Sequence, residues 1–246
     1  MSAALGFHNL TLGYDRHPAV HHLDGVIETG ALLAVVGPNG AGKSTLAKGI
    51  MGALKPLDGR IERFGHEPRS IAYLPQAAEI DRSFPVDVFD VAAMGQWGQR
   101  GLFGGFGGKD TARIHAAIAA VGLAGFERRS IATLSGGQMQ RALFARLLLQ
   151  DAQVLLLDEP FTAIDERTTG DLLVLIARWH GEGRTIIAIL HDFDLVRRHF
   201  PQTLLLAREA VAWGPTAAVL SPANLARATR MCEAFETDAH NCVRAA

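Results

Sequence analysis

The chain has 246 residues, of which 48% are hydrophobic, so it is long enough to bury its own core as one α/β domain, with or without a subdomain. Lys and Arg number 24 and Asp and Glu 25, which leaves a formal net charge of -1. This balance excludes a general electrostatic attraction to nucleic acid or anionic lipid, so we expect no nucleic-acid partner, and any phosphate binding must be local.

The apolar runs are short and the cysteines are few. The longest runs, such as residues 31–36 and 186–190, fall well short of the ~20 residues that a membrane-spanning helix needs. The first residues lack the basic and apolar segments of a secretory signal. Cys232 and Cys242 form no disulfide framework and suit a reducing cytoplasm. We therefore expect a cytoplasmic protein that does not itself cross a bilayer.

The N-terminal part of the chain is expected to form short strands around one helix, because apolar stretches alternate there with turn residues. The helix is predicted from Lys43 to about Leu54. The strands are predicted at residues 7–12, 20–27, 31–36, 60–64 and 71–74.

The middle of the chain changes to helical patterning, with apolar residues at three- and four-residue spacing. The predicted helices are residues 86–94, 111–121 and 137–149. They predict a helical subdomain over about residues 77–150, inside a single domain that spans residues 1–246.

Strand and helix alternate from residue 153 onward, at residues 154–157, 166–180, 185–190, 193–199, 203–206 and 211–213. Such alternation is typical of a mostly parallel sheet with helices on both faces, and the active site is then expected at the carboxyl ends of the strands. The segment from about residue 225 to 246 is expected to be a C-terminal tail, unstructured at the end that carries Cys232, His240 and Cys242.

A glycine-rich segment follows the apolar run at residues 31–36 and opens the first helix. It reads Gly37-Pro38-Asn39-Gly40-Ala41-Gly42-Lys43-Ser44-Thr45 and fits G-x-x-x-x-G-K-[ST], the pattern of a phosphate-binding P-loop. Its glycines let backbone N–H groups surround phosphate oxygens, and the positive end of the helix adds to the attraction. Lys43 is expected to contact the outer phosphates, and Ser44 to bind Mg²⁺.

Two carboxylates end another apolar run, Val154-Leu155-Leu156-Leu157-Asp158-Glu159-Pro160. Acidic residues at the end of a buried strand are uncommon without a cation, because an unpaired buried carboxylate is costly. Asp158 is suited to Mg²⁺, directly or through a water. Glu159 points the other way and is suited to polarise an attacking water.

A third segment, Leu134-Ser135-Gly136-Gly137-Gln138, lies just before an amphipathic helix. Ser135 is expected to cap that helix, and the glycines leave backbone N–H groups free to approach an anion.

In this order, the three segments resemble the ATP-binding subunits of ABC transporters, over about residues 7–220. The resemblance implies an α/β fold: a RecA-like P-loop NTPase core with an antiparallel β-subdomain and an inserted α-helical subdomain. It implies ATP and Mg²⁺ as cofactors. It also implies that Tyr14 stacks on adenine, that Gln76 contacts Mg²⁺ and the attacking water, and that His191 contacts the γ-phosphate. Asp165 then belongs to a loop that crosses to the partner subunit, although Thr162-Ala163-Ile164-Asp165 stands where Ser-Ala-Leu-Asp is more usual.

The same resemblance implies a homodimer that sandwiches each ATP between the P-loop of one chain and the Ser135–Gln138 segment of the other. Glu159 and His191 would activate water for in-line attack. A separate transmembrane permease, with a periplasmic or extracellular substrate-binding protein, would hold the dimer at the cytoplasmic face of the inner membrane.

The stretch from Phe84 to Gly98 indicates which solute is transported. It is similar to the corresponding stretch of ATPases that serve zinc and manganese importers. Haem, iron-chelate and cobalamin importers have related versions, and a soluble ABC ATPase of the iron–sulfur assembly type is a further alternative. Cys232, His240 and Cys242 supply ligands that suit Zn²⁺, but without the spacing of a standard zinc site. Two alternatives remain: the tail senses a metal ion, or its Cys and His residues are incidental and bind none.

Overall fold

A computed structural model describes residues 2–15, 17–76, 80–97, 107–162 and 164–237 of the protein. The chain divides into two units, one made of Met1–Pro68 together with Thr185–Ala246 and the other of Arg69–Arg184. The described strands and helices, in chain order, are β1 (Ala3–Tyr14), β2 (His17–Glu28), β3 (Leu32–Val36), α1 (Lys43–Ile50), β4 (Asp58–Glu62), β5 (Ile71–Leu74), α2 (Val88–Ala93), α3 (Gly108–Ala120), α4 (Gly136–Gln150), β6 (Val154–Asp158), α5 (Glu166–Gly181), β7 (Thr185–Ile189), α6 (Phe193–His199), β8 (Gln202–Ala207), β9 (Glu209–Pro215), α7 (Thr216–Val219) and α8 (Pro222–Thr237).

The first unit contains an antiparallel sheet in which β1 lies between β2 and β4. Leu5, Leu10 and Leu23 are fully buried and belong to the core side of this sheet. The pairing of β1 with β2 shifts register along its length, and Asn9 and His22 take left-handed φ angles of 46° and 44°. The two strands are therefore bulged, and their apolar residues do not alternate regularly.

Parallel strands form the other sheet region of the first unit. β3 pairs with β7 on one side and β8 on the other, both in parallel, and β9 returns antiparallel to β8. Every residue of β3 and β7 is buried, which explains their continuous apolar sequences. Since the strands are parallel, the segments after β3 and β7 leave the sheet at the same edge, and the Leu190 N–H donates to the Val35 carbonyl at 3.0 Å.

The second unit pairs β5 with β6 in parallel and adds the helices α2 to α5. Caps define where these helices begin: Asp87 forms a capping box with Asp90 at α2, Ser135 with Gln138 at α4, and Asp165 accepts from the Thr168 N–H at α5. The rings of Phe144 on α4 and Trp179 on α5 stack at 5.9 Å, 7° from parallel, and fill the core between those helices.

The C-terminal segment corrects one expectation. Residues 222–237 form the helix α8, whereas the end of the chain that begins at Cys232 was expected to be unstructured. The helix is stable because Ala228 and Cys232, one helical turn apart, are both buried, with 1% and 9% of their surface exposed. His240 and Cys242 lie outside the described residues.

The described ranges contain neither a candidate metal cluster nor a candidate membrane-spanning helix. Within those ranges, no three or more His, Cys, Asp or Glu side chains are grouped so that they could hold a metal ion. No helix there combines the length and the apolar composition needed to cross a bilayer.

Candidate functional site

The loop between β3 and α1 has the geometry of a phosphate cradle. Gly40 and Gly42 take left-handed φ angles of 76° and 92°, which only glycine adopts freely. A Cβ atom on Gly42 would lie 2.4 Å from the Ala19 carbonyl oxygen, and one on Gly37 would lie 1.9 Å from that of Leu206. Gly40 is thus required by its backbone conformation, Gly37 by close approach, and Gly42 by both.

The other residues of this loop surround the cradle. Pro38 and Asn39 form its outer turn, Ala41 is buried, and Ser44 and Thr45 lie half-buried in the first turn of α1. Lys43 has only 6% of its surface exposed, and its ammonium donates to the carbonyls of Gly37 at 2.8 Å and Pro38 at 2.9 Å. The positive charge is therefore held across the loop, where a bound anion would meet it.

The first unit holds two more predicted residues, His191 at the strand edge where the P-loop starts and Tyr14 next to α1. His191 follows β7 and is exposed at the strand edge from which the P-loop also starts. Tyr14 ends β1 with 47% of its surface exposed, and the Lys48 ammonium of α1 lies 5.9 Å from its ring centroid. An exposed aromatic face next to α1 is available for stacking with a flat ring.

The second unit brings Gln76 and Asp158 to one strand edge. Leu74 of β5 pairs with Leu157 of β6, so Gln76 and Asp158 both emerge at the carboxyl ends of adjacent parallel strands. Asp158 has 1% of its surface exposed. The Tyr73 hydroxyl donates to Asp158 Oδ2 at 3.3 Å, a contact that sequence reasoning missed.

Glu159 occupies an unusual backbone conformation, with φ at 50°. For a residue other than glycine this costs about 1–2 kcal/mol, and such strain concentrates at functional sites. The Thr162 hydroxyl donates to Glu159 Oε2 at 3.1 Å, so the carboxylate is held by its own turn.

The Ser135–Gln138 segment and the loop of Asp165 are neighbours in the second unit. Ser135 and Gln138 bond each other's backbone N–H at 3.0 Å and 3.2 Å, which begins α4 and leads into Gly136 and Gly137. A Cβ atom on Gly137 would lie 3.7 Å from Asp165 Oδ2. Hydrogen bonds from the backbone and hydroxyl of Thr168 hold the pKa of Asp165 below its ordinary value.

Arg141 of α4 ties these two segments together and was not found from the sequence. Its guanidinium donates to the Val121 carbonyl at 2.8 Å, to the Thr168 hydroxyl at 3.1 Å and to Asp171 Oδ2 at 2.8 Å. Since Thr168 also bonds Asp165, the loop at Asp165 and the helix α4 share one hydrogen-bond network. The only signal in the sequence was the position of Arg141 one helical turn after Gly137.

Replacing Arg141 by Ala is expected to lower the free energy of unfolding by about 2 kcal/mol, because the partly buried acceptors lose a charged donor. The matched control is Arg178→Ala, which removes an exposed ion pair with Glu182 on α5. Such a pair contributes only about 0.3–0.5 kcal/mol. Urea denaturation followed by circular dichroism measures both. Equal losses in the two variants would contradict the network.

Comparisons with known proteins identify the family. The sequence profile of the ABC transporter family matches residues 20–162, more than half of the chain. The chain is 39% identical over 224 residues to the zinc transport system ATP-binding protein TroB of Treponema pallidum, covering 89% of this chain and 84% of TroB. It is also 39% identical over 213 residues to the manganese transport system ATP-binding protein MntA of Synechocystis, covering 84% of this chain and 82% of MntA.

Solved structures agree with this fold. An inward-facing ABC transporter assigned to the metal-chelate type is similar with a TM-score of 0.82 and 29% identity, covering 93% of this chain and 90% of that chain. The mixed α/β architecture with its parallel strands is that of the ATP-binding cassette. The chain therefore belongs to the ABC transporter family, as an ATP-binding subunit that hydrolyses ATP.

Proposed function

We propose that this subunit powers the import of a divalent metal ion, zinc or manganese, through a separate membrane permease. The proposal of zinc or manganese as the solute rests on one observation. Relatives with 39% identity over most of both chains are named for zinc transport and for manganese transport. A fold alone would not support this inference, because ABC ATPases with many cargoes share it.

The ATP site is proposed to use the predicted residues in the roles that the family resemblance implies. The P-loop amides and Lys43 bind the phosphates, Tyr14 stacks on the adenine, and His191 contacts the γ-phosphate. The burial of Lys43 and the left-handed φ angles of Gly40 and Gly42 support the roles of the P-loop residues.

Mg²⁺ suits the proposed ligands, because it prefers oxygen donors and is usually held by one or two carboxylates with substrate phosphates and water. Asp158 offers a carboxylate with 1% exposure at the end of an apolar strand, and Ser44 and Gln76 offer neutral oxygens. Mg²⁺, when bound, would neutralise charge on the phosphates. Glu159 would then accept a proton from the attacking water, while His191 orients the γ-phosphate.

We infer that two copies of the chain form the working unit. In this arrangement Ser135, Gly136, Gly137 and Gln138 of one copy contact the ATP held by the P-loop of the other, and Asp165 lies in the crossing loop. ATP then stabilises the closed dimer, and hydrolysis releases it.

The permease is proposed to dock on the segment around α2. Phe84 and Trp97, which flank this helix, expose 63% and 59% of their surfaces, which is unusual for large apolar side chains in one short segment. A permease, with a periplasmic or extracellular substrate-binding protein, places the dimer at the cytoplasmic face of the inner membrane.

The double substitution Phe84→Ser and Trp97→Ser is expected to reduce permease-stimulated ATPase activity about tenfold or more, since exposed aromatics dominate such interfaces. The basal ATPase activity of the subunit should stay unchanged. The control is Val174→Ser on α5, which removes another exposed apolar side chain, at 72% exposure. The assay uses the candidate permease in proteoliposomes and measures phosphate release with and without it.

The same proteoliposomes test the solute. ATP-dependent uptake of radioactive zinc or manganese supports the proposal, whereas uptake of haem or cobalamin alone assigns the subunit to a different importer. Binding to soluble assembly proteins without stimulation by any permease would overturn the transport role.

A further inference from the structure

The turn between β8 and β9 is bonded to the P-loop through the backbone of a single residue, Arg208. Its N–H donates to the Ala41 carbonyl at 3.0 Å, and its carbonyl accepts from the His21 N–H at 2.7 Å. Both main-chain groups of Arg208 are thus engaged, one with the P-loop and one with β2. Residues distant in the sequence are joined at this point of the first unit.

This double contact depends on an uncommon backbone conformation. Arg208 takes a φ of 64°, in the left-handed region. Residues other than glycine are strained in this region, and β-branched residues are strained most. In the ordinary extended or helical regions, the N–H and the carbonyl of this residue would point in other directions. The conformation is therefore needed for both hydrogen bonds to form together.

The bond to Ala41 controls the direction of a group that matters for anion binding. The peptide between Ala41 and Gly42 is planar, so its carbonyl and its N–H point in opposite directions. Holding the Ala41 carbonyl toward Arg208 therefore turns the Gly42 N–H away from β8 and β9. Gly42 is the N-cap of α1, where N–H groups face a bound phosphate.

Close packing leaves the peptide between Ala41 and Gly42 little space to rotate. The positions at which Gly37 and Gly42 would carry a Cβ atom lie 1.9 Å and 2.4 Å from the carbonyl oxygens of Leu206 and Ala19. The P-loop is thus confined between β2 on one side and the β8–β9 turn on the other. The Arg208 side chain adds one long contact, from Nη1 to the Pro18 carbonyl at 3.5 Å.

We propose that Arg208 is a positioning residue for nucleotide binding, whose left-handed backbone orients the Ala41–Gly42 peptide toward the phosphates and ties it to β2. The inference rests on the proposed ATP site in the P-loop. It assigns the effect to the backbone conformation of Arg208 and not to its charge.

The test compares substitutions that differ in their tolerance of a positive φ. Arg208→Gly and Arg208→Asn accept it more readily than Arg does, Arg208→Ala tolerates it about as well as Arg because both carry a Cβ atom, and Arg208→Val resists it most. We expect affinity for MgADP to fall about tenfold in the Val variant and to stay within about twofold of wild type in the Gly and Asn variants. The Ala variant removes the charge but keeps the Cβ atom, so it should also stay within about twofold of wild type, and Arg208→Thr, which is β-branched as well, replaces the Val variant if that does not fold.

Two further readouts separate positioning from a general loss of structure. Inorganic pyrophosphate, used as a competitor of fluorescent ADP, should lose affinity in the same order, because the effect lies in the phosphate cradle. The KM for ATP should rise in that order while kcat at saturating ATP changes little. Circular dichroism at the assay temperature checks that each variant is folded.

The possible failures are distinguishable. If the folded Val or Thr variant binds MgADP and pyrophosphate like wild type, or if the Gly, Asn or Ala variants are as weak as the Val variant, the proposed role of the Arg208 backbone is wrong. If Lys43→Ala binds MgADP as tightly as wild type, the ATP site in the P-loop is wrong instead.

Discussion

Replacing Glu159 by Gln is expected to lower the rate of ATP hydrolysis by about 10²–10⁴-fold, the effect of losing a general base, while ATP affinity stays near wild type. The amide keeps the size of the carboxylate and still accepts a hydrogen bond from Thr162, which lies 3.1 Å from Glu159 Oε2. It cannot accept the proton of the attacking water. Phosphate release measures the rate, and titration with a fluorescent ATP analogue measures the affinity.

The Glu159→Gln variant should also accumulate as an ATP-bound dimer, because closing is retained and hydrolysis is not. Light scattering after gel filtration with ATP and Mg²⁺ detects it. The control is Glu166→Gln, an equivalent change at an exposed position in the first turn of α5, which should stay within about twofold of wild type. A Glu159→Gln protein that hydrolyses ATP at the wild-type rate would remove this residue from the role of base.

The buried parallel strands were predictable because their signal is local. The expected strand at residues 71–74 coincides with β5, and residues 154–157 and 185–190 differ from β6 and β7 by a single residue. A strand that is buried on both faces must be continuously apolar, and turn residues bound each run. No information from distant parts of the chain was needed to locate them.

The antiparallel strands were only partly predictable. β1 spans Ala3–Tyr14 and β2 spans His17–Glu28, whereas the sequence indicated residues 7–12 and 20–27. Bulges at Asn9 and His22 interrupt the alternation of apolar and polar residues on which such a prediction depends. The pairing between the two strands, which extends both of them, is a tertiary effect. α8 was missed for a related reason, since its buried Ala228 and Cys232 carry a weak apolar signal.

The motifs of the site were visible because phosphate binding needs glycines and a lysine at fixed local spacing. The residues that support them were not. Tyr73 reaches Asp158 across 85 positions in the sequence, and Arg141 reaches Thr168 across 27. An isolated Tyr or Arg carries no sign of such a partner. The positive φ of Glu159 and Arg208 likewise has no sequence signature, because both are residue types that rarely adopt it.

Replacing Lys43 by Ala is expected to weaken nucleotide affinity about 30- to 1,000-fold, because charge-assisted hydrogen bonds to the phosphates, worth about 2–4 kcal/mol together, are lost. The ammonium is buried, with 6% exposure, so water cannot replace it easily. The substitution also removes the bonds from Nζ to the carbonyls of Gly37 and Pro38, at 2.8 Å and 2.9 Å, which hold the loop together. The cradle should therefore lose both its charge and part of its order.

Equilibrium titration with fluorescent ADP measures this loss, and Lys55→Ala is the matched control. Lys55 is exposed and follows α1, so its removal tests whether any nearby positive charge suffices. A chain with a net charge of -1 offers no general field that attracts nucleotides, so affinity must come from the charge held inside the loop. The Lys43→Ala variant should bind ATP too weakly to dimerise at ATP concentrations that saturate the wild type, whereas Glu159→Gln should bind ATP and remain dimeric. This difference in ATP binding and dimerisation between the two variants is expected only if Lys43 acts on phosphate binding and Glu159 acts on water activation.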